Sequence, residues 1–230
     1  MQAAFLQLAL FIFEYFLLSF LAFWAAKRRA AVMSNEIKKL PIAIFISGTG
    51  SNMVAIAEAV KEGKLDAEIK TVLSSNSHAK GIEKARELGL PVYVCEKEEY
   101  DEPEKLEEKI AKHLHELGVE YIVMAGYMRK VTPVLLREFP NAVINLHPAL
   151  LPKFPGAHGI KDAYDAGEEE TGITIHIANE EYDEGPILYQ KRVPIIKGEP
   201  LEELEARIHK TEHEAYPFVL QELAKGNIVI

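Results

Sequence analysis

The chain has 230 residues, 48% of them apolar and 27% charged, which is enough for one large core or two small ones. Its formal charge of −9 argues against a nucleic-acid backbone as the main partner, because that binding needs Lys and Arg to neutralise phosphates. An anionic small molecule remains compatible where positive charge is concentrated locally. The single cysteine, Cys95, excludes an internal disulfide and fits a reducing compartment; at the end of a predicted strand it reads as a buried structural thiol.

Residues 1–39 do not belong with the rest of the chain. Phe5–Ala26 is apolar except for Gln7, Glu14 and Ser19, and Lys27-Arg28-Arg29 comes next. Three readings stand. A membrane segment has the length, since about 20 residues span a bilayer, and the basic cluster would keep the remainder in the cytoplasm. Against it, Glu14 near the middle costs roughly 2.5–3.5 kcal/mol. An upstream extension of the gene model is the second, with Met33 as a natural start. A targeting segment is the third, although no basic stretch leads it. On any of them the fold begins near Leu40, so the expected division is an extension over 1–39 and a catalytic domain over 40–230.

From there strands and helices alternate. Ile42–Ile46 is a buried strand, Ser47–Ser51 a turn and Asn52–Glu62 a helix. Glu68–Leu73 is a strand, Ala79–Leu88 a helix and Val92–Cys95 a short strand. Pro103–Leu117 is an amphipathic helix with proline at its start and Gly118 after its end. Tyr121–Met124 is a strand, Pro133–Phe139 a short helix and Val143–Leu146 a strand. This alternation predicts βαβ units in a Rossmann-like, open and mostly parallel sheet with helices on both faces. Beyond it, Ile160–Ala166 is a helix, and Ile173–Ile177 and Ile187–Val193 are strands whose short acidic link favours an antiparallel pair. Leu201–Ala224 is a terminal helix with a kink expected at Pro217, and Asn227–Ile230 is expected as an edge strand.

Three constellations carry chemistry. Ser47-Gly-Thr-Gly-Ser51-Asn52 follows the first strand and opens the first helix, where glycines and free N–H groups suit a single phosphate. As a dinucleotide fingerprint it fails, since Met53 stands at the third glycine position, and no Walker lysine follows. Asn145 and His147 lie two apart at a strand's carboxyl end, so they project together where open parallel sheets gather their chemistry. An amide donor beside an imidazole suits acyl-type transfer. Asp183, in an acidic loop of a kind that is ordinarily solvated surface, would keep an imidazolium charged and oriented if it approached His147. His176 either hydrogen bonds in the site or packs. No short His or Cys spacing suggests a metal, and no Gly-x-Ser-x-Gly elbow is present.

Together, Ser47–Asn52, the run Asn145-Leu-His-Pro-Ala-Leu-Leu-Pro-Lys-Phe-Pro-Gly156 and Tyr182-Asp-Glu-Gly-Pro186 resemble the phosphoribosylglycinamide formyltransferases, from about Ile42 to the C-terminus. The resemblance implies a formyltransferase fold and a cytoplasmic enzyme of purine synthesis. Glycinamide ribonucleotide would accept the formyl group of 10-formyltetrahydrofolate, with no metal. It implies Asn145, His147 and Asp183 as the catalytic trio, the first two donating to an oxyanion and Asp183 raising the histidine's pKa. Gly50, Ser51, Asn52 and Glu212 would contact the ribonucleotide. Met128, Arg129, Lys130 and Val131, with Asn145, would line the folate pocket, and the Asn179–Asp183 loop would form its opposite wall. One departure is Pro103, where some members carry an arginine that contributes to cofactor binding; Lys105 lies two residues on.

Two other formyl-handling activities compete, formyltetrahydrofolate hydrolysis and methionyl-tRNA formylation. The first would bring a domain ahead of the fold, the second a domain after it and a basic surface. A reading of another class is a non-catalytic, membrane-tethered nucleotide-binding module, which leaves Asn145, His147 and Asp183 unused. Membrane contact arises only if residues 5–26 are an anchor. Nothing in the sequence fixes the oligomeric state, and a homodimer is compatible with it.

Overall fold

The central strand, β1 (Leu40–Ile46), is buried on both faces. Its side chains alternate between two cores: Ile42, Ile44 and Ile46 enter one, Ala43 and Phe45 the other. That is why an uninterrupted apolar run forms a strand here, since a parallel strand covered on both sides has no polar face. Each fully buried isoleucine contributes about 1.5–3 kcal/mol.

The computed structural model describes residues 39–229, and the expectations for residues 1–38 lie outside the described residues. Residues from Lys39 onward form one compact unit. After β1 come α1 (Ser51–Lys61), β2 (Ala67–Ser74), α2 (Lys80–Glu87) and β3 (Val92–Val94). A 3-10 turn over Lys97–Asp101 leads into α3 (Pro103–Glu116), then β4 (Tyr121–Met124), α4 (Pro133–Glu138) and β5 (Val143–His147). The chain closes with α5 (Gly159–Asp165), β6 (Glu170–Ile177), β7 (Ile187–Pro194) and α6 (Leu201–Ala224).

The seven strands form one sheet in the order β3-β2-β1-β4-β5-β6-β7. Pairings from β3 through β5 are parallel, and β5–β6 and β6–β7 are antiparallel. This is the expected fold class. Helices α1, α2, α5 and α6 cover one face, and α3 and α4 cover the other. The strand order reverses between β1 and β4, which opens a crevice at their carboxyl ends. Tyr216 of α6, fully buried, ties that end together: its hydroxyl lies 3.0 Å from the carbonyls of both Met124 and Ile144.

Two expectations differ from the structure. Helix α6 runs without interruption through Pro217. Residues 227–229 form no strand, because the amides of Asn227 and Ile228 turn back onto the Glu222 carbonyl; Ile230 lies outside the described residues. Capping the helix end satisfies those amides locally, so the segment has no unpaired groups to offer a sheet edge. Cys95 is buried, and burial pushes its thiol up to about 11, in keeping with a structural role.

Candidate active site

The turn after β1 is built by close backbone contact. Gly50 caps α1 with φ +68, and a Cβ there would stand 2.8 Å from the Cα of Gly81. Gly81, in α2, donates its own amide to the Gly48 carbonyl at 3.0 Å. No side chain caps α1, so its first N–H groups are left facing the crevice with the positive end of the helix dipole. Asn52 is buried and donates to Glu212 of α6 at 3.0 Å, while its Oδ1 has no partner. His209, one turn before Glu212, places Nδ1 3.0 Å from the same carboxylate oxygen. The hydrogen bond to Glu212 raises the pKa of His209 above its ordinary value, more than burial lowers it.

At the carboxyl end of β5, Ile144 enters one core and Val143 the other, which leaves Asn145 and His147 on the α3/α4 side of the sheet beyond the helices. Strand β6 supplies cross-strand neighbours, His176 opposite Asn145 and Thr174 opposite His147. Asp183 enters from the β6–β7 loop with φ +58 and is itself buried. Gly185 makes that approach feasible, since a Cβ there would fall 1.7 Å from the Ile177 carbonyl oxygen.

The four side chains meet. Asp183 Oδ2 lies 3.4 Å from His147 Nδ1 and accepts the Gly156 amide at 2.9 Å. Its Oδ1 lies 3.6 Å from His176 Nε2 and 3.5 Å from Asn145 Nδ2. His176 Nδ1 is 3.0 Å from the Ile177 carbonyl, so that nitrogen carries the proton and Nε2 accepts from Asn145 Nδ2 at 3.2 Å. Both amide hydrogens of Asn145 thus point at the chain's own acceptors. The Nε2 of His147 likewise lies 2.7 Å from the Phe154 carbonyl, held there by a residue with φ +55.

Burial lowers the pKa of His147, and the pull of Asp183 and the Phe154 carbonyl in the other direction does not overcome it. The expectation that Asp183 lifts this pKa therefore has the right sign for one interaction and the wrong net result. Burial works to raise the Asp183 carboxyl, but His176, the Gly156 amide and His147 outweigh it and hold it below the usual range.

One cavity of about 240 Å³ joins the α1 turn to this cluster. Gly50, Ser51, Asn52, Met128, Asn145, His147, Asp183 and Glu212 all line it. Its lining contains no Lys or Arg, and His209 is the histidine on the side of the turn. A second cavity of about 50 Å³ lies between Arg129, Lys130 and Val131 on one wall and Ala178, Asn179 and Tyr182 on the other, with Asn145 and Asp183 at its base. The backbone of Arg129–Val131 makes no hydrogen bond within the described residues, which leaves a strip of free donors and acceptors. That strip suits a heterocycle with alternating ring donors and acceptors, although a bicyclic ring needs the 178–182 wall to move outward. Lys105 is exposed and paired with Glu102 at 2.5 Å. Among the described residues no cluster of His, Cys, Asp and Glu could hold a metal, and no helix is long and apolar enough to cross a membrane.

Sequence reasoning brought together the turn, Asn145, His147, Asp183 and Glu212. It left His176 undecided and missed His209 and the Phe154 carbonyl. The alternation of Thr174 and His176 between Ile173, Ile175 and Ile177 was a usable signal for the first.

A formyl transferase family model matches residues 40–220, four-fifths of the chain. The chain belongs to the formyl transferase family. Among relatives of this formyl transferase, the phosphoribosylglycinamide formyltransferase of Bacillus subtilis (strain 168) is 40% identical over 181 residues, 79% of this chain and 93% of that protein. The trifunctional purine biosynthetic protein adenosine-3 of Drosophila pseudoobscura pseudoobscura is 39% identical over 206 residues, 89% of this chain but 15% of that much longer protein. A crystal structure of glycinamide ribonucleotide transformylase 1 from Geobacillus kaustophilus superposes with a TM-score of 0.79 at 41% identity, covering 81% of this chain and 99% of that one.

Proposed function

We propose that this formyl transferase moves the formyl group of 10-formyltetrahydrofolate onto the amine of glycinamide ribonucleotide, in purine biosynthesis. The observation that carries the reading is the single cavity in which an uncapped helix N-terminus lies beside Asn145, His147 and Asp183. A phosphorylated acceptor and an acyl-transfer centre need that adjacency, and hydrolysis of the formyl donor needs only the second. Residues 40–230 are assigned as the catalytic domain, working in the cytoplasm.

The α1 turn, through Gly50, Ser51 and Asn52, holds the phosphate, with Glu212 fixing Asn52 from behind. Arg129–Val131, with Met128 at the rim, present the backbone strip to the folate ring. Arrival of the formyl oxygen replaces the Phe154 carbonyl at His147 and the long Asp183 contact at Asn145. With Phe154 displaced, Asp183 takes the Nδ1 proton and leaves Nε2 of the neutral ring facing the acceptor amine. As that amine bonds to the formyl carbon, Asn145 Nδ2 donates to the developing oxyanion. His147 accepts the proton lost by the amine and becomes an imidazolium beside Asp183. It then delivers the proton to the departing folate nitrogen as the old carbon–nitrogen bond breaks. No net proton is gained or lost. An oxyanion donor of this kind is worth about 3 kcal/mol, or over a hundred-fold in rate.

The test is a spectrophotometric assay with glycinamide ribonucleotide and a 10-formyl folate analogue on wild type and His147→Ala. Turnover by wild type and a loss of at least a hundred-fold in the variant are expected. Equal turnover would reject the mechanism, and none in wild type would reject the function.

A further inference from the structure

Glu107 lies outside both cavities of the active site, yet it is a carboxylate buried without a cation. It sits mid-way along α3, 6% exposed, and no ion pair involves it among the described residues. Removing a charge from water without a counter-ion is costly, so its partners must justify its position. They are concentrated on one short stretch. Its Oε1 accepts the Thr132 amide at 2.9 Å, and its Oε2 accepts that amide at 3.0 Å, the Thr132 hydroxyl at 2.5 Å and the Leu135 amide at 3.3 Å.

Capping α4 does not by itself require this. The Thr132 hydroxyl already accepts the Val134 amide at 3.2 Å, which is an ordinary N-cap for a six-residue helix. What the carboxylate adds is a fixed end for the residues immediately before it. Met128–Val131 has no regular structure, and it is held on its other side where Met128 donates its amide to Ser47 Oγ at 2.8 Å. The strip is therefore suspended between the α1 turn and Glu107, with its own backbone groups free in between.

We propose that Glu107 is the positioning residue for the cofactor wall, holding Arg129–Val131 in register so that their unpaired backbone groups can meet a planar ring. This rests on the formyl transfer proposed for the site. Burial raises the Glu107 carboxyl, with the Thr132 and Leu135 bonds opposing it, so acid conditions neutralise the anchor before they neutralise an exposed glutamate.

The experiment compares wild type, Glu107→Gln and Thr132→Val. Michaelis constants for each substrate, kcat at saturation and melting temperature are followed between pH 5 and 8. Glu107→Gln keeps the shape and one acceptor but loses the charge. Its KM for the 10-formyl folate analogue should rise about tenfold, with KM for glycinamide ribonucleotide and kcat within twofold. Wild type should show a rise in folate KM on the acid side that the variant lacks. Thr132→Val, which removes one bond and keeps the charge, should raise folate KM less and retain the acid-side rise. If Glu107→Gln moves both Michaelis constants together with the melting temperature, Glu107 is merely structural and the proposal fails. It fails equally if folate KM is unchanged in a folded variant. A wild type that turns over no formyl folate rejects the underlying function instead.

Discussion

Replacing Asp183 by Asn tests whether the buried carboxylate is there for the charge that His147 acquires. The amide has the same shape, and its oxygen can still accept the Gly156 amide, bonded at 2.9 Å in the native protein. What disappears is the negative charge 3.4 Å from His147 Nδ1. At an effective dielectric of 20 that pair is worth about 5 kcal/mol when the ring is fully charged. If the ring carries roughly half its charge at the transition state, the loss is about 2.5 kcal/mol, close to seventy-fold. Misorientation of the ring adds to this, because an amide can donate where the carboxylate only accepts, and the total becomes 10²–10³-fold as an order of magnitude. The assay is kcat with both substrates saturating, followed from pH 5 to 9. Since burial lowers the pKa of His147 and the reaction uses its neutral form, wild-type kcat should rise through a value below the ordinary imidazole range and be flat by pH 7. The variant should plateau at a lower rate. A folded Asp183→Asn protein within threefold of wild type would refute the argument. So would a wild-type kcat that falls as pH rises through the imidazole range, which would mark His147 as a pre-protonated acid.

Two further outcomes concern the phosphate side of the cavity. His209 carries a raised pKa, so its positive charge is present below that pKa and lost as pH rises through it. The KM for glycinamide ribonucleotide should therefore climb on the alkaline side of neutrality, and His209→Gln should raise it about tenfold at pH 6.5 and flatten the profile; a pH profile identical to wild type would show that the ring does not face the phosphate. Gly50→Ala forces a Cβ to within 2.8 Å of Gly81 at φ +68, which costs about 1–2 kcal/mol for the left-handed conformation before the clash is counted. A lower melting temperature and loss of inorganic phosphate binding are expected, measured by calorimetry, and an unchanged phosphate affinity would place the anion elsewhere.

The strands and helices were legible because each carries its own pattern. Ile42–Ile46 is apolar without interruption and had to be a strand covered on both faces. Pro103–Leu117 carries proline before it and glycine after it, and the structure's α3 differs only by its last residue. The terminal strand expected at Asn227–Ile230 failed because a short apolar ending does not reveal that Glu222 captures its amides. Asn145 and His147 could be paired from sequence because period two places them on one face. Glu107 could not be singled out, since it reads as one of several glutamates on a charged helix.

Local order, then, came from the sequence by itself: the alternation of elements, the glycine turn, the residues at the end of β5 and the family they resemble. Only tertiary structure decided that Asp183 reaches His147, that Glu212 and His209 reach Asn52, and that the Phe154 carbonyl covers Nε2. It also decided the protonation balance, because the lowered pKa of His147 is set by burial, and burial is created by segments far apart in the chain. Periodicity and capping are properties of neighbours along the backbone, whereas desolvation and charge pairing depend on distances that exist only after the chain has closed on itself.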